Sequence, residues 1–251
     1  MSVGLDGLAA GLFLLFCRIG ACVMTMPGFS NARIPMRARL YIAIGVTLAL
    51  APSLENTVKP LIAGASAAAL AFLLIGELLV GVLIGSLARL FFFALETLAT
   101  AAVMTMGLGN ILGAPIDEAE PLPAMSSLVM LGATTLIFVL DQHWEIIRGV
   151  FLSYTAIPIR ESLSVQSMLS EYMKVLAEAF FLAMRISSPF LLFGLIVNLA
   201  FGFLNRMTPQ IPVYFVSTPL LVALGVYWFY IVADDFFAAF SSEFGSWLLS
   251  G

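Results

Sequence analysis

Six charged residues interrupt stretches that are otherwise apolar: Arg18, Glu77, Arg89, Glu96, Glu178 and Arg185. A charge at the centre of a helix in hydrocarbon costs about 2.5–3.5 kcal/mol on insertion scales, so such residues face protein or a watery path. Two chemistries fit them. One is an ion or proton route. The other is ion pairing, between helices of the chain to fix their register or with a partner; charges near helix ends can also snorkel to an interface. Spacing adds to this. Glu77, Gly81, Gly85 and Arg89 recur every four residues and therefore share one helix face. The pair Gly81-x-x-x-Gly85 clears that face of side chains, so another backbone can approach closely. A second stripe, Gly194, Asn198, Gly202 and Arg206, repeats the arrangement, and its Asn198 carries a carboxamide able to hydrogen-bond across helices.

Other chemistry finds little support. No nucleophile–base pair, Walker loop or cofactor motif occurs, so neither an enzyme nor a cofactor is expected. Gly107-x-Gly109 has no strand before it and is not a dinucleotide fingerprint. His143 is the only histidine, which argues against a histidine metal cluster or triad. Cys17 and Cys22 lie five apart in the first apolar segment, outside any zinc or redox spacing, and read as small apolar filler. Asp117, Glu118 and Glu120, like Asp234-Asp235, read as solvated acidic turns rather than cation ligands. With 11 basic and 15 acidic residues and no basic patch, nucleic acid is not an expected partner.

The elements that must position these groups are apolar. Of 251 residues, 61% are hydrophobic and 10% charged, and the mean hydropathy is +1.07. Thr97–Ile116, Pro121–Leu140, Ile186–Asn205 and Met207–Ala233 contain no Asp, Glu, Lys or Arg. About 20 apolar residues in helix cross a bilayer core. The expected architecture is all-α, a multi-pass membrane protein of six to seven long apolar helices, near 7–28, 39–54, 61–88, 90–112, 122–141, 176–204 and 213–240. Pro27, Pro35, Pro52, Pro60, Pro115, Pro121, Pro158, Pro209 and Pro212 read as punctuation mostly between them. The 39–54 stretch is short for a span and fits a re-entrant segment or half of a bent hairpin. Segment 141–175, which carries Asp141, His143, Glu145, Arg148, Arg160, Glu161, Glu171 and Lys174, reads as the main amphipathic, non-spanning loop. The N-terminus lacks the positive region of a cleavable signal peptide, so the first apolar segment is expected to persist. Arg33, Arg37 and Arg39 form the one dense basic cluster, which places their loop on the cytoplasmic side and the N-terminus outside.

Met104–Glu120 is the least regular apolar stretch, loosened by Gly107, Gly109 and Gly113 and stopped by Pro115. Irregular backbone at membrane depth is tolerated when buried in protein or lining a cavity. A pore constriction or plug fits this composition, and so does an ordinary glycine-capped loop.

The C-terminal third carries a more specific pattern. Gly202-Phe-Leu-Asn-Arg206-Met-Thr-Pro209-Gln210, then Phe215 and Pro219-Leu220, resembles the signature of the FliR family of flagellar biosynthetic proteins, related to the SctT components of injectisomes. Arg18, Pro27, Gly28, Ile34-Pro35 and Arg39 resemble that family's opening, and Glu77 with Gly81 and Gly85, and Met106-Gly107, agree with it. The resemblance covers about residues 7–240; Pro212, Thr218 and Leu221 depart from the family's usual residues.

The resemblance implies a non-enzymatic subunit of the type III protein export gate in the bacterial inner membrane, at the flagellar basal body. One copy would join FliP-like and FliQ-like subunits, with unfolded flagellar proteins passing through the middle and other export proteins nearby. Residues 1–251 would form one gate unit, its first 140 residues FliP-like and the rest FliQ-like. Met104, Met106, Gly107, Leu108, Gly109, Asn110, Ile111 and Leu112 would belong to a channel plug. Gly81, Gly85, Gly194, Asn198 and Gly202 would serve helix packing or subunit interfaces. Arg18, Glu77, Arg89, Glu96, Arg185 and Arg206 would form buried or inter-subunit charge pairs, and Pro27, Pro35, Pro209, Gln210 and Pro219 mark the signature. The rival expectation is a small secondary transporter using Arg18, Glu77 or Arg185 as its substrate or ion site.

Overall fold

A computed structural model of the chain describes residues 5–30, 34–62, 65–109, 123–159, 165–207 and 213–250. Seven helices account for nearly all of them: α1 (Leu5–Thr25), α2 (Met36–Ile62), α3 (Ala67–Thr105), α4 (Ala124–Val139), α5 (Gln142–Ala156), α6 (Val165–Met207) and α7 (Val213–Ser250). No strand occurs among the described residues. The fold class is all-α, as the apolar runs require.

Four helices, α2, α3, α6 and α7, are long and apolar enough to cross a membrane; α4 with α5 makes a fifth if that broken pair counts as one span. The chain is therefore a multi-pass membrane protein. The apolar part of α1, Ala9–Thr25, falls short of the same length. Helix α3 has 39 residues and α6 has 43. At 1.5 Å per residue they run to about 60 Å, twice the hydrocarbon thickness of about 30 Å.

The structure corrects the expected boundaries in three places. The segments near 61–88 and 90–112 are one helix, α3, ending at Thr105. No glycine or proline falls between Ser86 and Thr105 to stop it, and a bilayer-length window splits a helix that is simply longer than one crossing. The 39–54 stretch runs on to Ile62, so Pro52 and Pro60 lie inside one helix rather than separating two. Pro189 and Pro219 likewise lie within α6 and α7. Proline at 189 cannot donate to the carbonyl of Arg185; the Ser188 hydroxyl does so instead, at 2.8 Å. The third correction concerns 141–175. It is not a loop: it holds α5 and the first turns of α6.

Two compact units divide the chain. One comprises residues 1–90 and 141–175, the other 91–140 and 176–250. In the first, α1 and α2 pack as a hairpin. Its turn holds buried Met26 and Pro27, and Gly28 takes φ 86°, a left-handed geometry that costs glycine little. Pro35 then opens α2, its carbonyl accepting from the Ala38 amide at 2.9 Å. The second unit has an aromatic core. Phe92 meets Phe240 edge-on at 5.5 Å, Phe240 stacks on Phe244 at 5.9 Å, and Phe190 meets Phe236 edge-on at 5.6 Å. Edge-to-face aromatic pairs of this kind add about 0.5–1.5 kcal/mol each beyond their buried area.

Candidate functional site

The first unit is built around one arginine. Arg18 sits mid-way along α1 and is fully buried. Its Nε donates to Glu77 Oε2 at 2.8 Å and its Nη2 to Glu77 Oε1 at 2.7 Å, a fork-to-fork pair between α1 and α3. Nη1 donates to the Ser153 hydroxyl on α5 at 3.0 Å, and Nη2 also reaches the Ile157 carbonyl, just past α5, at 3.1 Å. The guanidinium carbon lies 4.1 Å from the centre of the Tyr154 ring. The Ser153 hydroxyl in turn donates to the Val150 carbonyl at 2.6 Å. One side chain thus ties three helices, with charge matched by charge and most of its donors used. Removing a charged pair from water is costly, and only such geometry compensates for it.

The glycine stripe lies directly beside this node. A methyl group at Gly81 would run into the Arg18 carbonyl oxygen and within 2.9 Å of the Ala21 methyl. One at Gly85 would collide with the Thr25 hydroxyl and come within 2.7 Å of the Cys22 carbonyl. The face that Glu77, Gly81 and Gly85 make on α3 is therefore the seat of α1. Thr25 and Cys22 belong to the same facing stripe as Arg18, at helical spacing. Here the cleared face serves packing within the chain. Arg89, at the end of the stripe, is half-buried, as is Glu96.

The second stripe divides. Gly194 is buried against the end of α3, where a methyl would come within 2.9 Å of Thr105. Asn198 reaches across, its Nδ2 donating to the Thr105 carbonyl at 2.8 Å and back to the Gly194 carbonyl at 2.7 Å. A methyl at Gly202 meets nothing within 4 Å, and Arg206 is exposed in the last turn of α6.

Asn198 completes the end of α3. Gly107 takes φ 72°; its amide donates to the Met104 carbonyl at 3.1 Å, and the Leu108 amide to the Val103 carbonyl at 2.9 Å. This is a Schellman cap, with glycine at the left-handed position. Val103, Met104 and Thr105 thus each have a partner for a carbonyl the helix itself leaves unpaired. Met106 and Leu108 are buried, whereas Met104 is exposed. Gly225 on α7 lets the chain pass closely, a methyl there lying 3.2 Å from the Met106 carbonyl. The Met104–Gly109 part of the expected plug is thus a tightly capped helix end. Asn110, Ile111 and Leu112 lie outside the described residues, as do Pro209 and Gln210.

The remaining charge site is open. Arg185 Nη1 donates to Glu243 Oε1 at 2.9 Å, joining α6 to α7, with the side chains 72% and 45% exposed. Sequence reasoning named Arg18, Glu77, Arg185 and both stripes, yet missed Ser153, Tyr154 and Ile157. Their signal was present: Ile146, Val150, Ser153 and Tyr154 follow helical spacing, and all four are buried. Arg18 and Glu77, two of the residues the transporter reading would use, are buried against each other.

Together these features define a helical membrane protein whose buried charges and cleared glycine faces hold helices against one another. The model of the bacterial export proteins, family 1, matches residues 9–247, and the chain belongs to that family, in its flagellar FliR branch. The flagellar biosynthetic protein FliR of Caulobacter vibrioides is 35% identical over 214 residues, covering 85% of this chain and 84% of that protein. FliR of Aquifex aeolicus is 29% identical over 216 residues, 86% and 82% of the two chains. FliR of Escherichia coli is 28% identical over 212 residues, 83% and 78%. The chain is a component of the flagellar protein export apparatus.

Proposed function

We propose that this chain is a non-enzymatic subunit of the export gate in the bacterial inner membrane, at the flagellar basal body. It joins FliP-like and FliQ-like subunits and forms part of the channel through which unfolded flagellar proteins pass. In this reading residues 1–140 are the FliP-like part and 141–251 the FliQ-like part. Met104, Met106, Gly107, Leu108, Gly109, Asn110, Ile111 and Leu112 contribute to the segment that closes the channel.

The observation that carries the reading is the open half of the second stripe. Between Asn198 and Met207, α6 presents Leu199, Phe203, Leu204 and Met207 outward around the cleared Gly202, with Arg206 among them. A glycine gap flanked by large outward apolar side chains suits the close approach of another helix. The four spans are only 11–28% buried within the chain, which leaves most of their surface to lipid or partners. The capped end of α3 supports the closing segment by supplying it with a fixed root.

The test is affinity purification of the tagged chain in a mild detergent. Two small hydrophobic partners of FliP and FliQ type, in fixed ratio, are expected. A stable protein that purifies alone, protease-resistant throughout, overturns the reading. For the closing segment, deletion of Gly107–Gly113 is expected to leak small ions while some export persists. Tight membranes with normal complex levels contradict it.

A further inference from the structure

The stretch of α6 before its uncharged run is unsuited to lipid and to water alike. Glu178 and Arg185 are exposed there, seven residues and so nearly two turns apart on one face. Between them Phe181 is 77% exposed, and Met184 beside it 56%. Charges at this density do not face hydrocarbon, and large apolar side chains at this exposure do not stay in water; such mixed surfaces mark protein contacts.

A cleft opens at this place in the second unit, about 400 Å³ in volume, between α6 and α7. Phe181, Leu182 and Trp247 form its apolar walls, and Glu178, Arg185 and Glu243 its charged ones. Arg185 is engaged with Glu243; Glu178 is not bonded to any described residue. The cleft carries two carboxylates against one guanidinium. About two and a half turns earlier on α7, Asp234 and Asp235 are also exposed.

We propose that this cleft is a docking site for a basic side chain, lysine or arginine, presented from an apolar helix of another component of the export apparatus. Its alkyl stem would lie along Phe181 and Leu182. Its charge would meet Glu178 and the free side of Glu243, within reach of the Trp247 ring face. The exposed Arg185–Glu243 pair then has a use that stability does not give it. Exposed pairs contribute little to folding, whereas a carboxylate held open by an arginine fixes the register of an incoming cation. The inference rests on the chain's place in a multi-subunit export assembly and names the chemistry of one contact in it.

The experiment uses the assembled complex. A photo-crosslinking amino acid replaces Phe181 in the full-length chain in cells, and the product is mapped by mass spectrometry. A crosslink to an export component within one helical turn of a Lys or Arg is the expected result. Adducts to lipid alone, or no adduct while export partners still co-purify, overturn the inference and leave the gate reading intact. If nothing co-purifies, both fall.

A second arm reads charge. Glu178→Lys is expected to lower co-purified partner by roughly tenfold or more, because like charges would then meet in the cleft. Glu178→Gln should lower it less. Equal partner recovery from the native chain and Glu178→Lys, with both present in the membrane at equal level, overturns the proposal. If Glu178→Lys reduces the level of the chain itself, the crosslink at Phe181 decides.

Discussion

Among the described residues, two arginine–glutamate pairs join separate helices, in opposite settings. In the first unit Arg18 and Glu77 are 0% and 2% exposed; in the second Arg185 and Glu243 are 72% and 45% exposed. The distances hardly differ, 2.7 Å and 2.9 Å. The surroundings differ completely. Arg18 has a bidentate partner, a hydroxyl, a carbonyl and a ring face, and glycines on α3 bring α1 close enough to deliver it. Arg185 donates one hydrogen bond to Glu243 and has an open cleft beside it. Geometry between two charges therefore says little about their role. Desolvation decides it: a buried pair binds the fold to one register, and an exposed pair remains available to something else.

The largest effect is expected from splitting the buried pair. Glu77→Gln keeps the shape but leaves Arg18 charged without its counter-ion, at a cost of about 3–5 kcal/mol. That is a large share of the stability of most proteins, so the level of the chain in membranes should collapse, as quantitative blotting would show. Replacing both residues with methionine should recover much of it, since well-packed apolar substitutes are often neutral. If Glu77→Gln accumulates and supports motility normally, the node is not what holds α1, α3 and α5 together.

Gly81→Leu and Gly85→Leu come next. Each forces side-chain atoms into the backbone of α1, beyond the 1–3 kcal/mol usual for overpacking because the neighbour is main chain rather than a flexible side-chain end. Insertion should survive, since hydropathy rises, while export and swimming are lost. Normal motility in either variant removes the seat of α1 from the argument.

Asn198→Ala is a smaller change. It removes the donor to the Thr105 carbonyl, for about 0.6–2 kcal/mol in a membrane setting. A modest fall in the melting temperature of the purified complex is expected, with assembly retained. An unchanged melting temperature means that the end of α3 does not depend on α6. The smallest effect on stability belongs to Arg185→Gln, at about 0–1 kcal/mol.

These contrasts also separate what the chain shows as a string of residues from what it hides. The face on α3 is legible because Glu77, Gly81 and Gly85 recur at the helical spacing, a local property. Its partner is not, because Arg18 lies 59 positions away and nothing local pairs the two. Helix α5 hides from hydropathy, which reports affinity for lipid: with Glu145 and Arg148 on its outer side it scores poorly, while its inner side, Ile146, Val150 and Tyr154, is as regular as any. The long α3 hides for the opposite reason, as a stretch one bilayer long fits twice into a helix of 39 residues. Burial is the quantity least visible beforehand. Arg18 and Arg185 look alike in sequence, each a lone arginine in an apolar run, and only the packing around them sets them apart.

One measurement tests that distinction directly: double-mutant cycles on both pairs in the same purified export complex, with each residue changed to Gln singly and together. The readout is the free energy of denaturation. The coupling between Arg18 and Glu77 is expected to reach about 2 kcal/mol or more, and that between Arg185 and Glu243 to stay below about 1 kcal/mol. Equal couplings, or a larger one at the exposed pair, would contradict the account.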